Sequence, residues 1–530
     1  MPHPLRRAGS GWGPPLGAAA LALALYAGTL GHGFAGDDLW LIEQNPFLRR
    51  VNLARFFASD YWEPKQRAGL YRPLVTTSFA LDFAVAGAKP AVYHGVNVLL
   101  HAVNSGLVAV LALRIARRRR AAWLAGLLFA AHAIHVEPVA NAAGGRPELL
   151  AALFGLGALW LHAGGAGGEG AHRFGRAAGA AAAFGAALLC KESAAAFAPI
   201  AFLYDLLVRL PALRAPARLR DLRGSWVLYG LVALAYLGAR RLALAGDPLV
   251  PPTNPVDNPL VAFHGAWRAA NAAWVALRAA GLLLLPARLS SDYSFDALPL
   301  IASPADPRLA ALVAAGIGLG AGAILAARRA PRLAFGLAAA LAAYLPAANL
   351  LLPIGTIFGE RLLYLPSFGF CLALGIGLDR SWQRARGRWG LPGAAAVALL
   401  AALLVAGHGL RAIDRNRDWR SNAEILLHDV QVFPRSAKLQ SNAGAILLEQ
   451  GRPEPALAAF ERAIALGVPA SVYVAPFQGR VLALVALERF AEAEPLYRAV
   501  LEHAPPHPEV ERALARWRAN RRPAALPGPG

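Results

Sequence analysis

The stretch YHGVNVLLHAVNSGLVAVLALRIARRRR, residues 93–120, decides the fold. From 91 to 115 it is apolar enough and long enough to cross a bilayer core, which needs about 20 such residues, and it stops in the cluster RIARRRR at 114–120. An apolar run that ends in arginines reads as a membrane helix whose basic end stays in the cytoplasm. Four polar residues interrupt it at steps of 3, 4 and 3: His94, Asn97, His101 and Asn104. That spacing places them on one helical face. Such a face ordinarily forms a hydrogen-bonded seam between helices. His94, nearest the outer end, is the member that would touch a substrate headgroup.

Composition extends this reading to the whole chain. Of 530 residues, 57% are hydrophobic and 16% charged, whereas a soluble domain carries roughly 25% charged residues. The net charge of +21 sits mostly in short clusters between apolar runs, so it reads as the positive-inside bias and no nucleic-acid partner is expected. Cys190 and Cys371 both lie in apolar segments, which argues against a disulfide framework or a CxxC zinc site.

Apolar runs near 13–30, 91–115, 121–136, 147–163, 175–190, 193–210, 225–245, 307–327, 332–352, 361–379 and 391–412 predict about eleven spans. The clusters at 114–120, 171–176, 209–223, 328–332 and 379–388 read as cytoplasmic. This holds with the N-terminus inside if 264–286, which carries Arg268, Asn271 and Arg278, is re-entrant or interfacial. Arg240 and Arg241 then fall outside, against the bias.

The expected fold is therefore all-α: a polytopic membrane domain over 1–412, a small soluble helical domain over 413–520, and a disordered tail at 521–530. Residues 437–470 fit a tetratricopeptide repeat, with Gly444, Ala456, Phe460 and Ala463 at the close-packing positions. A weaker copy places Ala493, Tyr497 and Pro505 likewise. So few repeats are expected to lean on the membrane domain.

The topology gathers FAGDDLW (34–40), YRPL (71–74), HAIHVEP (132–138), GGRPE (144–148), KES (191–193), SSDY (290–293) and GER (359–361) on the outer side. His132, His135 and Glu137 lack an HExxH or comparable ligand set, so no metal site is expected there. His135 and Glu137 are expected to order an outer cavity or contact an acceptor. Arg146, Lys191 and Arg361 stand at helix ends, where snorkelling is the ordinary role and recognition of a lipid phosphate the functional one. Glu360 is an obvious partner for Arg361.

The ordered series FAGDD, YRPL, YHGVNVLLHAVNS, HAIHVEPVANAAGGRPELLAALF, KES, LSSDYS and GERLLYLPSFGF resembles the transmembrane and tetratricopeptide-repeat O-mannosyltransferases of the GT-C superfamily. The resemblance runs from about 30 to 520. NAAGGRPE lacks the tryptophan usual at that point, and the repeats are fewer than in animal members.

The resemblance implies inverting transfer of a sugar, typically mannose, from a polyprenyl phosphate to an extracytoplasmic hydroxyl, with Ser or Thr of proteins as acceptor. It assigns Asp37 and Asp38 to catalysis, with Asp37 the favoured base. Arg146, Lys191 and Arg361 are the candidate ligands of the donor phosphate. Arg72, His94, His135, Glu137 and Glu360 are candidates for the acceptor side. The superfamily admits a divalent metal at an acidic pair, which is not the expectation here. The repeats would present a protein acceptor. The membrane is a bacterial inner membrane, or the endoplasmic reticulum in a eukaryote. The competing readings are a transporter or lipid flippase and a non-catalytic envelope scaffold.

Overall fold

A computed structural model describes residues 11–164, 171–209, 219–245 and 254–521. The tail expected to be disordered lies outside them from 522 onward. Among the described residues the secondary structure is helical, without strands. The helices are α1 Gly13–Tyr26, α2 Leu53–Phe57, α3 Pro73–Ala86, α4 Pro90–Ala116, α5 Arg119–Ala131, α6 Val136–Ala140 and α7 Ala142–Gly164. There follow α8 Ala171–Cys190, α9 Phe197–Tyr204, α10 Leu219–Leu244, α11 Gly265–Leu284, α12 Pro307–Arg329, α13 Pro331–Tyr344 and α14 Tyr364–Asp418. The last six are α15 Asn422–Val432, α16 Ala437–Glu449, α17 Pro453–Ala465, α18 Ala475–Ala486, α19 Phe490–Val500 and α20 Pro508–Arg521.

Six helices among the described residues are long and apolar enough to cross a membrane, and a seventh is obtained by joining α5 to the bent segment Ala133–Ala140. They mark the chain as an integral membrane protein. One of the six, Glu360–Asp418, has 59 residues. At 1.5 Å per residue it would be about 90 Å long, some three times a bilayer core. Gly390 (φ 65°, ψ −148°) breaks it into two helices end to end, with Pro392 just beyond. Shorter apolar helices, Phe174–Cys190 and Pro331–Ala347, fall on two more of the expected spans. The expected span at 193–210 is an interrupted run: 3-10 turns at Glu192–Ala196, then α9, then a π-turn at Asp205–Arg209. The segment expected to be re-entrant or interfacial is the continuous helix α11, whose buried Asn271 exchanges hydrogen bonds with the backbone of Ile301.

Sequence chemistry sets the ends of these helices. α4 starts at Pro90, whose missing N–H costs a first turn nothing, and ends at Arg117 in a left-handed conformation with Arg114 in the last turn. α12 starts from Asp306, which accepts the Arg308 amide at 2.9 Å, and ends in Arg328 and Arg329. None of its residues is buried. With Val313, Ile317, Leu319 and Ile324 exposed, its surface suits lipid.

α4 lies at the centre, packed against α1, α5 and α7, while α14 packs on α5 and α13. The polar face of α4 is an interhelical seam. Asn97 Nδ2 donates to the carbonyls of Val139, Asn141 and Ala142. His101 contacts the Tyr364 hydroxyl at 2.9 Å and the Ala130 carbonyl, and Asn104 donates to Leu149 O and Tyr364 Oη. All four polar residues are fully buried.

Charge separates the two ends of the bundle. At one end Arg120 pairs with Asp379, Arg332 donates to Ala116 O, and Arg114 to Trp160 O. At the other end the loops bearing the candidate site residues bond to one another. Arg240 belongs to that second end, where it donates to the Gly69 carbonyl at 2.7 Å.

The C-terminal helices stack in succession on a core of their own built around Phe460, Leu484 and Tyr497. Phe460 fits there because its partners are glycines: a Cβ at Gly444 would lie 2.8 Å from its ring and one at Gly479 2.2 Å. α15 and the start of α16 belong instead to the membrane core, through Ile425 and Leu439 and, on either side of α15, Trp419 and Phe433.

Candidate functional site

Gly36 makes the first decision. Its φ of +57° is one that L side chains adopt only with strain. Of the two acids that follow this turn, Asp37 is half-buried and Asp38 is completely enclosed. Asp38 Oδ1 accepts the amide of Ala143 at 2.6 Å, and its Oδ2 accepts those of Ala35 and Ala142 at 3.2 and 3.4 Å. Ala142 and Ala143 open α7, so Asp38 caps a helix N-terminus from a distant loop. Burial pushes its carboxyl up to about 7; the three amides pull it down and Asp37 adds to the rise. Tyr61, whose hydroxyl donates to Ala143 O at 3.0 Å, ties the second part of the loop to the same turn.

Three cation–carboxylate pairs join the loops and helix ends at this end of the bundle. Arg72 holds Glu192 with two bonds, 2.7 and 3.2 Å. Lys191 pairs with Glu148. Arg361 pairs with Glu137 through its guanidinium and donates its backbone amide to the same carboxylate at 2.8 Å. Lys191 and Glu192 are adjacent in sequence, so the first two pairs are joined. Burial alone would raise Glu192, but Arg72, then Lys191, outweigh it and hold the carboxyl at about 2. Burial likewise pushes the Lys191 ammonium below its ordinary value, against the pull of Glu148. Asp37 and Glu148 both lie within electrostatic reach of Arg361. Lys65, stacked 3.4 Å from the Trp40 ring centroid, feels Asp37 from another side.

Other expected site residues are engaged differently. Arg146 is fully buried. Its guanidinium pairs with Asp82 at 2.9 Å and donates to Asn97 Oδ1, Ser78 Oγ and Tyr93 O. These partners occupy the donors a phosphate would need, so Arg146 braces α3, α4 and α7 in this structure. His135 contacts Phe129 O and Ser367 Oγ, both at 2.8 Å, and is buried with both ring nitrogens engaged. His94 is buried against the Gly33 carbonyl at 3.2 Å. Glu360 does not pair with its neighbour Arg361. In the turn Glu360–Leu363 it points elsewhere, accepting Ser290 N at 2.5 Å and the Tyr293 hydroxyl at 2.7 Å.

Several partners were not singled out from the sequence. Glu148 and Glu192 stand inside the quoted motifs GGRPE and KES, where a cation beside an acid was the available signal. Asp82 carried none, since it lies in an apolar helix 64 residues from Arg146. Lys438 of α16 contacts Asp257 at 2.7 Å. Burial would lower its ammonium, but Asp292, Asp257 and Asp37 outweigh that and hold it above its usual range.

A family model described as protein O-mannosyl-transferase TMTC, DUF1736, matches residues 249–320. The chain is 28% identical over 533 residues to the protein O-mannosyl-transferase Tmtc3 of Drosophila melanogaster, covering 88% of this chain and 56% of that protein. It is 30% identical over 483 residues to the human protein O-mannosyl-transferase TMTC4, covering 83% and 64%. The chain thus spans between half and two thirds of the length of the curated relatives it matches. Among solved structures it is similar to the Archaeoglobus fulgidus oligosaccharyltransferase, with a TM-score of 0.43, 15% identity, and coverage of 77% of this chain and 56% of that one.

Proposed function

We propose that this chain, similar over most of its length to protein O-mannosyl-transferases, is an inverting membrane glycosyltransferase of the GT-C type. Its donor is a polyprenyl-phosphate sugar, with mannose the favoured sugar, and its acceptor a Ser or Thr hydroxyl of a protein. The N-terminus lies in the cytoplasm and the site and repeat helices outside it, in a bacterial inner membrane.

The observation that carries this reading is the division of labour at the acid pair. Asp38 is spent on backbone amides, while half-buried Asp37 stands within reach of Arg361. A Ser or Thr hydroxyl is a poor nucleophile near neutral pH, and a carboxylate within hydrogen-bond reach can take its proton as attack proceeds. Asp37 accepts that proton, the acceptor oxygen bonds to the anomeric carbon, and the bond from that carbon to the phosphate oxygen breaks. The lipid phosphate leaves with the electron pair. Lys191 and Arg361, each held by a glutamate before donor arrives, supply positive charge where that anion develops. Arg72 aligns Lys191 through Glu192, and Arg146 holds the helices beneath.

The test is to reconstitute the purified chain in vesicles with polyprenyl-phosphate mannose and a Ser/Thr-rich peptide, and to follow the peptide by mass spectrometry. Hexose on Ser or Thr is the expected result. No hexose on the peptide, with donor present and intact, overturns the reading.

A further inference from the structure

The segment joining the last membrane helix to the repeats reaches both sides of the candidate site. On the base side, Gly33 N donates to the Arg420 carbonyl at 3.0 Å and Gly36 N to Asn422 Oδ1 at 3.1 Å. These bonds hold the loop next to Asp37 from outside, while Asp38 holds it from within at α7. On the phosphate side, Asp429 Oδ2 accepts Ser291 N at 2.6 Å, and the adjacent Ser290 N donates to Glu360, the residue before Arg361. The segment itself is fixed: fully buried Arg415 of α14 grips Asp429 with bonds of 2.6 and 3.0 Å and reaches Asp418 at 3.0 Å. Through Arg415 and Asp429, α15 is bound to the last membrane helix and joins the two halves of the site.

Resting on the reading of Asp37 as base and Arg361 as phosphate partner, we propose that α15 is a catalytic brace in which Asn422 and Asp429 are positioning residues that set Asp37 against Arg361. Displacement at the anomeric carbon needs the base and the leaving-group cations at fixed places on either side of the sugar, and a misplacement of about 1 Å can cost about a hundredfold in rate. The first helix after the membrane domain is then part of the catalytic machinery and not a detachable acceptor-presenting arm.

Asn422 gives the cleaner test because it is only partly buried, whereas removing Asp429 strands a buried arginine. With the full chain, polyprenyl-phosphate mannose and a Ser/Thr peptide, Asn422→Ala is expected to lower kcat about tenfold or more while donor KM stays within about twofold. Hydrogen exchange at residues 33–38 quickens in the same variant. Asn422→Asp keeps an oxygen to accept the Gly36 amide, and it restores most of kcat and the slow exchange. An unchanged kcat in Asn422→Ala, or a loss that Asn422→Asp does not restore, overturns the proposal. If the wild type transfers no mannose, the glycosyltransferase reading fails and the catalytic brace falls with it, and faster exchange at 33–38 in Asn422→Ala then shows a structural tether alone.

Discussion

Asp38 accepts the amide of Ala143 at 2.6 Å, across 105 residues of sequence. This bond joins the first loop to the N-terminus of α7, and it leaves Asp37 as the acid of the pair with open surface. Two adjacent carboxylates thus hold different posts, Asp38 enclosed on backbone amides and Asp37 half-buried beside it.

Stability should carry the signature of Asp38. Folded, it keeps its proton up to about pH 7; unfolded, it gives it up near 3.8. Between those values the folded chain binds the extra proton, so stability falls as pH rises through the window, by up to about 4 kcal/mol. Thermal unfolding in detergent, followed from pH 4 to 8, should show the wild type losing more stability with rising pH than Asp38→Asn does, the difference being the contribution of Asp38. A decline of equal size in the variant would remove Asp38 as its source.

Arg146 is expected to matter for folding before anything else. Arg146→Ala leaves the partly buried Asp82 without its cation and should cost up to about 3–5 kcal/mol. The pair Arg146→Met with Asp82→Leu should recover much of the loss, since replacing both partners of a buried pair is often neutral. A single variant as stable as wild type contradicts the brace assigned here.

Arg361 should act on the chemical step. Arg361→Gln keeps a hydrogen-bond donor, on a shorter side chain, but no charge, and it should lower kcat/KM for donor by about 10²–10³-fold. Arg361→Lys should recover part of it, because an ammonium still offers a point charge. Equal rates in wild type and Arg361→Gln would place the leaving-group cation elsewhere.

Gly36→Ala tests the turn. A side chain at φ +57° costs about 1–2 kcal/mol, and nothing else stands within 4 Å of the added carbon. The effect should therefore appear as faster hydrogen exchange at residues 33–38 with little change elsewhere. Exchange indistinguishable from wild type would show that the turn does not need glycine.

Much of this architecture could be read from the chain. The 3, 4, 3 spacing of His94, Asn97, His101 and Asn104 gives the seam of α4 because helical periodicity is local. The loops bearing the acids and cations gather at one end because apolar lengths and arginine clusters constrain which ends can meet. Residue pairing was not legible. Arg361 turns to Glu137, 224 positions away, in preference to adjacent Glu360, since a tight turn sends neighbouring side chains apart. Arg146, at a motif that reads as interfacial, is drawn inward by Asp82 of α3. Tertiary packing decides such partners, and spacing along the chain carries no record of it.

The most direct measurement compares wild type with Asp37→Asn in vesicles holding polyprenyl-phosphate mannose and a Ser/Thr peptide, with donor binding measured alongside. Loss of the base should lower mannose transfer by about 10²–10⁴-fold while donor binding persists. Transfer by Asp37→Asn at the wild-type rate would contradict the account.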